Sequence, residues 1–164
     1  MLQRIQTIFL LGVAVVMVAM LFMTIWEKGN PDEGIASLTA FKLTYIQNDA
    51  ITDEGTPQIE ATTNTFYIAI FAVLAIVTSI YSIFRYTNRL TQIKLGALNA
   101  LLLAGCMGSA VYFAFQGEKL LLENIQGQYK MGFFMPAAAL VLNMLANRFI
   151  RRDEKLVRSV DRLR

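Results

Sequence analysis

Histidine is absent from all 164 residues, and cysteine occurs once, at Cys106. Zinc takes about four N, S or O ligands and haem iron usually an axial His, so neither site is readily built and no cofactor or metal is expected. The same absence removes Ser-His-Asp and Cys-His catalytic units. One cysteine closes no intrachain disulfide. Inside an apolar run, Cys106 reads as a small buried residue at a helix contact. Carboxylates and amides are what remain. Asp49, Asp53, Glu54 and Glu60 are the one set that would suit an enzyme, but they lie in a turn-rich segment where water solvates them. A non-catalytic chain is expected. The amides and hydroxyls within apolar runs are Thr7, Thr78, Ser79, Ser82, Asn99, Ser109, Asn143 and Asn147. Asn143 and Asn147, four apart, share a helix face. An Asn99–Asn143 hydrogen bond is expected as packing glue rather than a substrate site, worth ~0.6–2 kcal/mol between apolar helices.

The elements that must position these groups follow from charge. Only 16% of residues are charged, against about 25% for a soluble domain. Residues 5–26, 61–84, 95–117 and 131–147 contain no Asp, Glu, Lys or Arg. Crossing ~30 Å of hydrocarbon takes roughly 20 helical residues. Four membrane spans are therefore predicted, at about 5–26, 62–84, 95–116 and 131–149. They leave an outer loop 27–61, an inner loop 85–94, an outer loop 117–130 and a cytoplasmic tail 150–164. The first span is too long for a signal-peptide core and ends without a small-x-small cleavage site, so it reads as a retained helix. The fold class is an all-α four-helix transmembrane bundle. It carries a small β-containing outer loop and an amphipathic basic C-terminal helix.

Cytoplasmic loops are enriched in Lys and Arg. With both termini inside, eleven of the fifteen basic residues fall on the inner side. Seven of them crowd the last 17 positions, while seven acids accompany two lysines in the first outer loop. Aromatic residues follow the same frame. Trp26, Phe66, Tyr67, Tyr112, Phe113, Phe115, Phe133 and Phe134 gather at the outer boundary, and Tyr81, Phe84, Tyr86 and Phe149 at the inner one. Such girdles mark membrane–water interfaces.

In the first outer loop, residues 35–46 read as one strand, followed by a turn-rich segment and a short second strand at 58–60. An isolated hairpin is marginal in water, so it should pack on the helix ends. Leu120, Leu121, Leu122 and Ile125 make the second outer loop a short amphipathic stretch, on the interface or extending the third helix. In the tail, Arg151, Arg152, Lys155, Arg158, Arg162 and Arg164 alternate with apolar residues near a helical period. A basic amphipathic helix suits an anionic membrane surface or an acidic partner. No aromatic platform accompanies it, which argues against nucleic acid. Ala104, Gly105, Gly108 and Ser109 form two small-xxx-small steps, candidate helix–helix contacts. Pro136 and three following alanines suggest a kink and another close approach in the fourth span.

The two ends of the chain, Met1-Leu-Gln-Arg-Ile-Gln-Thr-Ile-Phe-Leu-Leu11 and Asn147-Arg-Phe-Ile-Arg-Arg-Asp-Glu-Lys-Leu-Val-Arg-Ser-Val-Asp-Arg-Leu-Arg164, resemble the domain of unknown function 4293 family. That resemblance covers nearly the whole chain and implies a small four-span protein of the bacterial cytoplasmic membrane, with no activity to carry over. The expected function is a non-catalytic accessory or scaffolding subunit of a membrane assembly. The alternative is a small carrier or channel for a lipid or apolar solute. Expected partners are membrane lipids and a membrane protein or a second copy.

Overall fold

The computed structural model describes residues 2–30, 34–47, 58–85, 88–119 and 126–161. The apolar stretches become four helices: α1 Leu2–Phe22, α2 Phe66–Phe84, α3 Arg89–Glu118 and α4 Met131–Asp161. All four are long and apolar enough to cross a membrane. The main contacts pair α1 with α2, α2 with α3, α3 with α4, and α4 with α1, so the bundle closes on itself.

Small side chains line the contacts. Ala72, Ala75, Ala110, Ala114 and Ala139 are buried beside Val13, Met17, Met20 and Leu103. Many large aliphatic groups face outward: Ile8 is 65% exposed and Leu101 69%. A bundle in water would turn those groups inward. In lipid, which is as apolar as they are, helices associate through close packing instead.

Several element boundaries differ from expectation, each for a local reason. α1 stops at Phe22 rather than near residue 26, and the Met23 N–H turns back to the Met20 carbonyl at 3.2 Å. α3 starts at Arg89 because the Asn88 side chain accepts the Thr91 N–H at 3.2 Å. This N-cap satisfies one orphan donor and shortens the inner connection read as 85–94. Arg89 and Lys94 are therefore helical. The fourth span and the described tail form one 31-residue helix, with Pro136 inside it.

The small β element is a five-stranded antiparallel sheet in the order β4-β3-β2-β1-β5. Its strands are β1 Trp26–Asn30, β2 Gly34–Leu38, β3 Lys42–Gln47, β4 Gln58–Asn64 and β5 Gln128–Tyr129. Residues 35–46 are thus a hairpin and not one strand. Thr39 makes the turn: its N–H donates to the Lys42 carbonyl at 2.9 Å and its Oγ1 accepts the Lys42 N–H at 3.2 Å. Gly29 and Gly34 flank the β1–β2 connection with φ of 136° and 138°, in a region that side-chain-bearing residues avoid.

The sheet is fastened to the helix ends through backbone. Ile25 N–H donates to Leu38 O at 2.8 Å, Lys130 N–H to Ile25 O at 2.9 Å, and Gly132 N–H to Thr24 O at 3.1 Å. Thr65, just before α2, donates from its hydroxyl to Thr39 O at 3.1 Å. Sheet and bundle share one hydrophobic core that includes Ile25, Trp26, Ala36, Leu38 and Leu43.

Candidate functional site

Away from the sheet, all four helices turn polar side chains inward. The Ser79 hydroxyl of α2 donates to Leu10 O of α1 at 2.6 Å. Gln92 Nε2 of α3 donates to Ser82 O of α2 at 2.9 Å. Between α3 and α4, Asn143 Nδ2 donates to Gly96 O at 2.9 Å, and Asn99 Nδ2 lies 3.4 Å from Asn143 Oδ1. Asn99 and Asn143 are at most 1% exposed.

Gly96 belongs to the same cluster through its missing side chain. A Cβ there would overlap the amide of Asn147, so that amide rests directly on the α3 backbone. Among the described residues, Gln6 Nε2, Ser82 Oγ, Asn99 Oδ1 and Asn147 Oδ1, one from each helix, have no hydrogen-bond partner in this region. Buried polar groups normally find partners, because an unmade bond costs about 1–3 kcal/mol.

Asn147 also borders an open cavity of about 630 Å³, whose described lining is Met144, Asn147, Arg148, Arg151, Arg152 and Lys155. The lining residues recur at three- and four-residue intervals, so one stripe of α4 supplies them. Arg89 Nη1 meets Asp153 Oδ2 at 3.0 Å and ties the start of α3 to α4. Four basic side chains and one amide line the same cavity.

At the sheet end, Lys28 is only 3% exposed. Its Nζ donates to the Glu118 carbonyl at 2.9 Å and pairs with Glu118 Oε1 at 3.1 Å. The ammonium therefore closes the C-terminus of α3, where the helix dipole favours positive charge.

The residues expected to matter are distributed as follows. Asn99 meets Asn143. Gly105 faces the Phe71 ring, to which a Cβ would come within 3.0 Å. Ser109 donates within its own helix to Cys106 O at 2.9 Å. Ala104 is exposed, and a Cβ on exposed Gly108 would meet nothing within 4 Å, so that small-xxx-small step makes no close helix contact among the described residues. Trp26 is 2% exposed and belongs to the core that sheet and helices share. Arg151, Arg152 and Lys155 are exposed along the cavity. Arg158 is in α4, but its side chain lies outside the described residues, as do Arg162 and Arg164 entirely. The same holds for Asp49, Asp53 and Glu54 and for the stretch from Leu120 to Ile125. Glu60 is in β4.

Sequence reasoning missed Gln6, Gln92, Gly96 and the Lys28–Glu118 pair. The first two carried a signal, being amides on apolar helix faces. Gly96 carried none, because its role depends on which α4 residue stands opposite.

The family model described as "Domain of unknown function (DUF4293)" matches residues 2–163. No curated protein matches the chain.

Proposed function

We propose that this chain, which belongs to the domain of unknown function 4293 family, is a multi-pass protein of the bacterial cytoplasmic membrane. In this reading it serves a larger membrane assembly as a non-catalytic accessory or scaffolding subunit. The sheet faces outward, both termini are cytoplasmic, and α4 carries its basic stripe to the inner surface. Support for the orientation comes from the basic residues, eleven of fifteen falling inside. The aromatic contacts agree. Tyr129–Phe133, Tyr67–Phe113 and Phe41–Phe66 lie at the sheet end, and the Arg85 guanidinium sits 5.4 Å over the Tyr81 ring at the other.

One observation carries the scaffolding role. The sheet is anchored to three helices by backbone hydrogen bonds and by the buried Lys28 ammonium, so it forms a rigid platform on the bundle. Among the described residues, no Asp, Glu, Lys or Arg is buried in the helices' apolar cores, whereas transport and proton relay usually place such groups at membrane depth. The test is a nanodisc pull-down of the tagged chain followed by native mass spectrometry. A protein partner at fixed stoichiometry supports the accessory role.

A second reading, a small carrier for a lipid or apolar solute, draws on the four unpartnered polar atoms inside the bundle. A lone chain whose phenotype is abolished by Asn143→Leu at unchanged protein level would favour it over the scaffold.

A further inference from the structure

We infer that the cavity between the end of α3 and β5 is a binding site for a neutral sugar ring. Trp26, Phe115, Glu118, Gln126, Gly127 and Tyr129 line it. Its volume of about 240 Å³ is below the ~300–1,000 Å³ of drug-sized pockets, which leaves room for one small ring.

Charge narrows the choice of ligand first. Glu118 is paired with Lys28 at 3.1 Å, and Glu27 of the same strand with Lys130 at 3.5 Å, so both acids are already neutralised. Lys119, next in sequence to Glu118, is exposed and adds positive charge. A cation therefore gains no net attraction, while a phosphate would meet the Glu118 carboxylate.

Hydrogen bonding narrows it further. The Trp26 ring is buried, and its Nε1–H has no hydrogen-bond partner among the described residues. A buried indole N–H usually finds one. A side chain at Gly127 would overlap the ring at Nε1, so the glycine leaves that edge of the indole unblocked. The Glu118 carboxylate accepts, and the amide of exposed Gln126 both donates and accepts. Donors and acceptors side by side suit hydroxyls, which do both, whereas an ammonium only donates and a phosphate only accepts. The exposed rings of Phe115 and Tyr129 complete the site. Their electron-rich faces suit the C–H groups on the flat side of a pyranose. The site stands apart from the scaffolding role and needs no protein partner.

The test uses the full chain in micelles of a polyoxyethylene detergent, which carries no sugar. Trp26 is the reporter, being the single tryptophan of the chain and part of the lining. Methyl β-glucopyranoside or methyl β-galactopyranoside should change its emission saturably at millimolar concentration. Phe115→Ala and Gln126→Ala, both at exposed positions, should each weaken that response by about fivefold or more, with the circular dichroism unchanged. A response to choline of equal or greater affinity would make this a cation site, and one to N-acetylglycinamide a peptide site; either overturns the assignment. So does the absence of a saturable response to both glycosides, or a response that both variants keep in full. A glycoside bound by a chain without a protein partner would uphold the site while defeating the scaffolding role, so the two readings fail separately.

Discussion

Gly96 and Asn147 are matched by exclusion: the amide of Asn147 occupies the volume that any side chain at position 96 would need. Gly96 also accepts the Asn143 Nδ2 hydrogen bond at 2.9 Å. One residue without a side chain therefore holds two amides from successive turns of α4. Gly96→Ala should destabilise the bundle by about 1–3 kcal/mol, as overpacking in a close-packed core does. Adding Asn147→Ala should recover most of the loss, since the overlapping amide is then gone. Thermal unfolding of the two single variants and the double variant in one detergent measures this non-additivity.

Asn143 should matter more than Asn99, although each faces the other. Their mutual contact is 3.4 Å, at the long limit for a hydrogen bond, whereas Asn143 reaches the Gly96 carbonyl at 2.9 Å. Asn143→Leu is expected to cost about 1–2 kcal/mol and Asn99→Leu about half that. A double-mutant cycle should give a coupling energy below about 0.6 kcal/mol. A larger coupling would place the main bond between the side chains.

Lys28→Met should destabilise the sheet end more than Glu118→Gln. The ammonium bonds both the Glu118 carboxylate and the Glu118 backbone carbonyl. Removing the lysine forfeits both, whereas changing the acid leaves the carbonyl partner in place. The Glu118 side chain is 38% exposed, so water screens the charge pair and the carboxylate's share is modest. We expect about 1–3 kcal/mol for Lys28→Met and under ~1 kcal/mol for Glu118→Gln. Unfolding midpoints in detergent rank the two.

Trp26→Ala should be the most damaging single change at the sheet end, by about 3–5 kcal/mol, because a 2% exposed indole leaves a cavity. Gly117→Ala should also disturb it, since a Cβ there would lie 2.6 Å from the indole ring. Unfolding midpoints in detergent measure the loss in Trp26→Ala, and a red-shifted Trp26 emission as the ring meets water reports Gly117→Ala.

Much of the fold was legible because helix length and charge exclusion act along the chain. Four uncharged stretches become four helices, and the i,i+4 spacing of Asn143 and Asn147 reads directly as a shared face. The sheet was only partly legible. Residues 35–46 keep a strand composition throughout, yet Thr39 uses its side chain to bend the chain back, which alternation alone does not reveal. β5 has two residues and no pattern of its own; it exists because β1 is beside it. Gly96 and Lys28 were opaque for a related reason. Their roles depend on tertiary register, which sets α3 against α4 and β1 against the end of α3.

The pairing of Trp26 with Tyr129 across β1 and β5 has a consequence for the order of assembly. During synthesis β1 emerges soon after the first helix, but its outer neighbour arrives only with the hairpin that joins the third and fourth. Until then that strand keeps an unsatisfied edge, and its indole lacks the covering of Gly117 and Gly127. The last helical pair to be made thus completes the first strand to be made. The single tryptophan of this chain is a built-in clock for that final step: its emission should shift only when the second hairpin has docked.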